Sequence, residues 1–415
     1  MYLPIPKGDR MILRELGKKK AECAADTANE QNIKLWTAVN DLRMIRPPVF
    51  IDEVPWHEMD VDSELTLLCE SELGRQIECA LRRELYAFHH FPVNMVVSAS
   101  IECPFVVHDT GFGIAEDTEL ARTDATSDIV SRHFNIQIRS MEDVEKIKDP
   151  IITLDSAASY ALLTAYAEVF EPEIPVVQTG FKGMWFTPWD FLIRLTGVEE
   201  AMLSLYDEPD YIESLVGRFV DASLVRLKRY SELNLWASNN NNTRVGSGGY
   251  GFTSSLPSSG GLSTGAPLKA LWGCGNAQIF SCVSPEMHWE YSLKHEMRWL
   301  SHFGLTYYGC CEPLSGKMDI LKRIPNLRKI SMSPWADLSE AAGHAGGQYV
   351  LSCKPNPAIF ASKTLNMGEA RQQIDGIMKQ TKGQPVEIVM KDISTVSYVP
   401  QNLWKWAEFV SMYLQ

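Results

Sequence analysis

At 415 residues, with 45% apolar and 22% charged side chains, the chain is long for one ordinary domain and has the composition of a globular protein with a large core. Its formal net charge of −13 argues against a nucleic-acid surface and against binding to anionic membranes, since both require clustered Lys and Arg. No apolar run approaches the ~18 residues of a membrane-spanning helix.

The opening, Met1 to Arg10, lacks an apolar stretch followed by a small-residue cleavage site. A cytoplasmic protein is therefore expected, and its nine cysteines read as thiols or metal ligands rather than as a disulfide framework.

In chain order, Leu13 to Ala25 and a second run through Leu35–Leu42 are rich in helix formers. Arg46-Pro47-Pro48 ends the helical region, because proline lacks a donor and restricts the residue before it. Val49–Ile51 is a short apolar strand that empties into Asp52, Glu53, Trp56 and His57. Met95–Ser98 and Phe105–Val107 are strand candidates, Asp155–Phe170 a helix, and Pro175–Gly180 a strand that leads to Trp185, Trp189 and helices through Tyr230. After Leu233–Ala237 come four asparagines at 239–242 and a Gly/Ser-rich stretch at 246–265. This stretch reads as a mobile active-site loop in preference to a domain linker, because strand–helix units continue on both sides.

The second half repeats one unit. A helix from Pro285 to Phe303 precedes the strand Leu305–Tyr308, which ends in Gly309-Cys310-Cys311-Glu312-Pro313. Arg328–Met332 ends in Ser333-Pro334-Trp335, Tyr349–Ser352 in Cys353-Lys354-Pro355-Asn356, and Val386–Met390 in Lys391-Asp392. Leu403–Leu414 is a closing amphipathic helix.

Strands alternating with helices imply parallel pairing. No G-x-G-x-x-G follows the first strand and no phosphate-loop signature occurs. An α/β fold is expected: a (β/α)8 TIM barrel over 46–415 with inserted loops and an N-terminal helical extension over 1–45.

In such a barrel the residues just past each strand converge on one face. That rule gathers Glu53, Trp56, His57, Asn239, Asn240, Cys310, Cys311, Glu312, Trp335, Cys353, Lys354, Asn356, Lys391 and Asp392. The adjacent thiols Cys310 and Cys311, with Cys353 one unit later, suggest a zinc site, because a catalytic zinc takes about three protein ligands. Close packing beneath the loop is the competing role for these cysteines. Glu53 is a candidate general acid and His57 a general base or metal ligand, set against capping by Asp52 and Glu53 and packing of His57 on Trp56. Glu312 joins them as a candidate catalytic carboxylate. Lys354 and Lys391 are candidate anchors for a substrate carboxylate or phosphate. Asn239 and Asn240 are candidate substrate amides or turn formers, with Trp56, Trp185, Trp335, Asn356 and Asp392 completing the expected pocket. Cys274, Cys282, His295 and His302 read as packing or surface residues.

Several segments together resemble the uroporphyrinogen decarboxylase superfamily. They are Trp36–Asn40 before Arg46–Val49, Phe181–Gly197 with Asp207–Asp210, Val283–Met287 opening a long helix, and Gly309–Pro313 at a strand end. The resemblance runs from about Leu35 to the C-terminus and implies a barrel enzyme. The superfamily's decarboxylases carry an Arg-rich stretch after the first strand; here Ile51–His57 is acidic and aromatic. Its cobamide-dependent methyltransferases carry a zinc-binding H-x-C after a late strand and a second Cys later. The matching places are Tyr308–Cys310 and Cys353, with Cys311 or Glu312 in place of the histidine. The resemblance therefore implies a methyltransferase that acts on a small-molecule substrate with zinc and with a cobamide on a separate corrinoid protein. It also implies dimerisation, for which the N-terminal helices are the expected contact. The alternatives are a decarboxylase of uroporphyrinogen or another acid, anchored by Lys354 or Lys391, and a non-catalytic barrel that binds a tetrapyrrole or a corrinoid partner.

Overall fold

A computed structural model of the chain describes residues 5–121, 131–257 and 263–415. Seven strands form one fully parallel sheet: β1 (Val49–Ile51), β2 (Trp185–Phe186), β3 (Trp272–Gly275), β4 (Leu305–Tyr308), β5 (Leu327–Met332), β6 (Val350–Cys353) and β7 (Val386–Met390). Their spatial order is β1–β7–β6–β5–β4–β3–β2. The strands β3 to β7 are short runs buried on both faces, as parallel strands covered by other layers require. The architecture is therefore α/β with a helix-flanked parallel sheet. Among the described residues the ladder ends at β1 and β2, which do not pair with each other.

Alternation along the strands sends two sets of side chains to two different layers. On one face Tyr308, Ile330, Met332, Leu351, Cys353, Ile388 and Met390 join the main core with Trp299, Leu321, Ala341, Ile374 and Trp406 of the flanking helices. On the other face Trp272, Cys274 and Tyr307 pack against Val245 and Leu256, and Val350 packs against Trp36 and Tyr250. That second face is covered by helix α2 (Ala28–Asn40) and by the loop after Trp236, not by the helices of the repeating unit.

The N-terminal extension is consequently part of the fold. Helix α1 (Lys7–Ala24) packs on Glu72–His90 and Ser156–Phe170 in a satellite core containing Leu13, Leu16, Leu81, Leu85, Leu162 and Phe170. Helix α2 also captures the segment expected to form a strand at 95–98. The Asn32 amide donates to Met95 O at 2.8 Å, Trp36 Nε1 donates to Asn94 O at 2.7 Å, and Val97 N donates to Asn29 Oδ1 at 2.8 Å. With its backbone groups taken by side chains, this stretch forms no ladder. Short strands instead lie at Ile101–Pro104, parallel to Val176–Thr179, and at Val107–Asp109, antiparallel to Ile152–Leu154.

The helix expected from Pro285 to Phe303 is an α-turn at Pro285–His288, a π-segment at Trp289–Leu293 and a further α-segment at Lys294–Leu300. The Gly/Ser-rich stretch was expected to be a mobile loop. Of this stretch, 246–257 packs against the sheet and 263–265 is bonded to Gly180 and Asn234; residues 258–262 lie outside the described residues. Gly249 is required there, since a Cβ would meet the Trp36 ring at 2.2 Å. Gly246 takes φ +57 at the tip, a conformation that glycine adopts without strain. Beneath this loop Lys329 Nζ and Glu387 Oε2 form a fully buried ion pair at 2.8 Å. Glu387 also accepts Gly249 N–H at 3.2 Å, and the ammonium lies over the rings of Trp36 and Trp272.

Candidate functional site

The C-terminal ends of β1, β4 and β7 bring together the sharpest chemistry in the molecule. After β4, Gly309 turns the chain at φ +98, where a Cβ would strike Leu314 at 2.4 Å. Glu312 then folds under the strand end. Its carboxylate accepts Cys310 N–H at 2.8 Å and Ala277 N–H at 3.4 Å. This turn buries Cys310 and leaves Cys311 exposed, with the two sulfurs 3.5 Å apart.

From β7 comes Lys391, 3% exposed. Its Nζ lies 3.8 Å from Cys310 Sγ, 3.9 Å from Cys311 Sγ, 2.8 Å from Asp392 Oδ2 and 3.2 Å from Glu53 Oε2. β1 and β7 are paired with Ile51 opposite Met390, so Glu53 and Asp392 occupy matched positions two residues past their strands. Both adopt left-handed backbone, φ 50 and φ 57, which is uncommon outside glycine and concentrates at functional sites. Arg244, from the loop after Trp236, closes the far side against Asp52 and against Glu53 at 3.1 Å. In the buried layer below, Lys354 Nζ donates to Ser331 Oγ at 2.5 Å and to the Tyr307 hydroxyl at 3.2 Å, and Ser331 donates to Cys310 O at 2.5 Å.

These contacts separate the ionisation of neighbouring groups. The hydrogen bond from Cys311 is the largest influence on Cys310. With the nearby charges of Lys391 and Lys354 it brings that thiol down to about 7 against the opposing effect of burial. The same hydrogen bond, burial and the Cys310 charge push Cys311 far above the thiol range. Burial and the hydrogen bond to Asp392 raise Glu53. Asp392 is held low despite its burial, by Glu53 and Lys391. Burial works against the Lys391 ammonium, but Cys310 and Asp392 outweigh it and keep it charged. The centre therefore favours the Cys310 thiolate beside a fixed cation, and pushes the ionisation of its two neighbouring carboxyl groups apart.

Five of the expected site residues meet here: Glu53, Cys310, Cys311, Lys391 and Asp392. Lys354 supports them from below. Glu312 does not face the thiols as an acid; it is 1% exposed and anchors the turn. Cys353, expected as a third metal ligand, lies apart from the two thiols. Opposite Met332 and Ile388 in register, it points into the helix-covered core, and burial raises its thiol to about 12. His57 lies 3.7 Å from Glu58 and edge-on to Tyr398. Trp56 packs edge-on to Tyr86 beneath Arg83.

Asn239 and Asn240 are not free to read a substrate. Each spends both ends of its amide on backbone, Asn239 on Trp272 N–H and O at 2.9 Å, Asn240 on Thr253 N–H at 2.8 Å and O at 2.9 Å. Asn356 caps the turn at Pro357–Phe360 and lines a separate cavity of about 360 Å³ with Ser333, Lys354 and Gln373. Trp335 stands exposed in the loop after β5. Trp185 lines another cavity, of about 260 Å³, with Phe112, Phe219 and Arg226. The residue missed by sequence reasoning is Arg244, whose signal is a single cation within the Asn- and Gly-rich loop.

Behind β4, on the helix side, Tyr308 OH meets His288 Nε2 at 2.9 Å and Ser292 Oγ donates to Glu296 Oε1 at 2.6 Å. Burial raises the Glu296 carboxyl to about 8, so the folded state holds this proton more tightly than the unfolded chain does. Its contribution to stability is full below the unfolded value and is lost as pH rises through about 8. Glu296→Gln is therefore expected to melt higher relative to the parent at pH 9 than at pH 6; equal differences at both would contradict it.

No protein-family model and no curated protein matches the chain.

Proposed function

We propose that the chain is a β/α-barrel methyltransferase that moves a methyl group between a small molecule and a corrinoid carried by a partner protein, with Cys310, Cys311, Lys391, Glu53 and Asp392 as its reacting centre. The observation that carries this reading is the Cys310 thiol, at about 7, held between Cys311 and the Lys391 ammonium where three strand ends meet. Such a thiolate is a soft nucleophile at neutral pH. Barrel closure is part of the proposal. It is supported by the Asn94 N–H donating to Val49 O at 3.2 Å beside β1, by the pairing of Ile101–Pro104 with Val176–Thr179, and by the bridge of Phe181 to Trp236.

The corrinoid, when bound, supplies the cobalt-centred nucleophile or methyl donor. The chain's own residues do the rest. Cys311 and Lys391 favour the Cys310 thiolate. Glu53, raised by burial and by Asp392, is the group placed to give the leaving heteroatom a proton when it gives up its methyl group, and Asp392 orients that carboxyl. Glu53→Gln is expected to slow transfer by about 10²–10⁴-fold and to erase the limb of the pH profile that reports loss of its proton. A uniform loss with an unchanged profile would remove Glu53 from this role.

The zinc implied by the resemblance fits these residues poorly. Only two of the three expected thiols meet, and the Lys391 ammonium stands where the donors converge. Among the described residues no group of three His, Cys, Asp or Glu is arranged for a metal ion. Elemental analysis after zinc loading tests the disagreement: stoichiometric zinc that disappears in Cys310→Ser would restore the metal.

Decarboxylation of a polyacid is disfavoured by charge. Lys391 is paired with Glu53 and Asp392, Arg244 with Asp52 and Glu53, and Lys354 is bound within the interior. That leaves Lys354, which is held by the neutral Ser331 and Tyr307 hydroxyls, as the one cation of the cluster without a carboxylate partner, too few for a polyacid. The assay that decides is methyl transfer to chemically reduced cobalamin from methyl ethers, methyl thioethers and methylammonium compounds, run beside carbon dioxide release from an acid panel. Carbon dioxide without methyl transfer would overturn the proposal. Spectral titration with cobalamin and no turnover would leave only the binding protein.

A further inference from the structure

We infer that Cys310 and Cys311 form a thiol–disulfide exchange site that takes low-molecular-weight disulfides and closes reversibly into a ring disulfide between the two neighbouring residues. This goes beyond methyl transfer and is read on the protein itself, so it stands or falls separately from that reaction.

Three observations carry it. First, the sulfurs already lie 3.5 Å apart, so closure to the ~2.05 Å of a disulfide needs a shift of only about 1.5 Å. Second, the two thiols differ in access and in charge. Cys310 sits inside against Lys391, while Cys311 faces solvent beside Asp392, with its Sγ 3.6 Å from that carboxylate. The charge of Lys391 favours Cys310 as the attacking sulfur, reached through the 8% of its surface that is open beside the exposed Cys311, which then resolves. Third, five of the seven other cysteines are buried without a compensating pair of neighbours like Cys311 and Lys391, Cys79 being half-buried and Cys282 exposed. Cys23, Cys69, Cys103, Cys274 and Cys353 are buried, and burial raises each of their thiols.

The exchange balances as follows. The Cys310 thiolate attacks one sulfur of the external disulfide, whose S–S bond breaks and whose second sulfur departs and takes up a proton. Cys311 then gives up its proton and attacks Cys310 Sγ. The new S–S bond releases the first half of the reagent as a second thiol. Two protein thiols are oxidised and one disulfide is reduced to two thiols. Neighbouring Cα atoms are only ~3.8 Å apart, below the usual span of a disulfide, so the ring is strained and excess thiol reopens it readily. Closure removes the Cys310 thiolate from Lys391, and any chemistry that needs that thiolate stops until the ring is reduced.

The test uses oxidised glutathione with the full chain, in a Cys282→Ser background to remove an exposed competitor. The tryptic peptide Trp299–Lys317 contains Cys310 and Cys311 and no other cysteine. In the parent it is expected to lose the mass of two hydrogens and to regain it with excess reduced glutathione. Cys311→Ser is expected to stop with one glutathionyl group on Cys310, and Lys391→Gln to slow the reaction roughly tenfold or more. If the Ser variant does not fold, the parent peptide alone decides. An unchanged peptide, two retained glutathionyl groups, or faster reaction at a buried cysteine elsewhere would overturn the inference.

Discussion

Cys310→Ser is expected to reduce methyl transfer by at least about 10³-fold without unfolding the chain, because it removes the thiol that Cys311 and Lys391 bring down to about 7. The hydroxyl that replaces it stays protonated at any working pH, so the soft anionic sulfur beside Lys391 is lost while the volume is nearly conserved. The neighbouring variants grade the effect. Cys311→Ala deletes the hydrogen bond that lowers Cys310 most and should move the midpoint of Cys310 alkylation above 7. Cys311→Ser keeps an O–H donor and should move it less. Lys391→Met removes the adjacent charge and leaves Arg244, on the far side of Glu53, as the remaining cation beside Glu53 and Asp392. The pH dependence follows from the direction of the shift. Reactivity rises as pH climbs through about 7 and falls away on the acid side, where the thiolate takes a proton. Alkylation rates across pH, with intact mass to assign the site, measure this directly. A parent midpoint in the ordinary thiol range would sink it.

Glu387→Leu is expected to cost about 3–5 kcal/mol of stability, the range for removing one partner of a buried ion pair. Lys329 and Glu387 are both fully buried at 2.8 Å, so the orphaned ammonium has no route to water. Its remaining neighbours, Tyr250 O at 3.3 Å and the faces of Trp36 and Trp272, do not neutralise it. Burial depresses the Lys329 ammonium and Glu387 opposes that depression. In the variant the folded state should therefore bind this proton less readily than the unfolded chain does, and stability should rise with pH. Replacing both residues, with Lys329→Met added, should recover much of the loss. Urea unfolding at pH 6 and pH 9 measures the single and double variants. A single variant within about 1 kcal/mol of the parent would show the pair to be dispensable.

The strand ends were legible because each late strand is a compact apolar run that stops at a polar cluster. Cys310, Lys391 and Asp392 could be located from Leu305–Tyr308 and Val386–Met390 without coordinates. Glu53 followed in the same way from Val49–Ile51. The early strands were less legible. The run at 95–98 has strand composition, yet Asn29, Asn32 and Trp36 take its backbone partners. Asn239 and Asn240 looked like substrate amides because nothing local shows that Trp272 and Thr253, distant in the chain, use both ends of each.

By itself, the sequence determined a parallel α/β protein whose reactive side chains follow its strands, because alternation of apolar runs and helical periods is a local property. Only the tertiary structure decided which of those side chains meet. Cys353 and Lys354 are adjacent in the chain, but successive strand residues point to opposite faces, so one enters the core and the other reaches the interior beneath the thiols. Arg244 reaches the site for the converse reason. Its loop is folded back onto the sheet by contacts with Trp36, Glu387 and Tyr307, none of them near it in sequence.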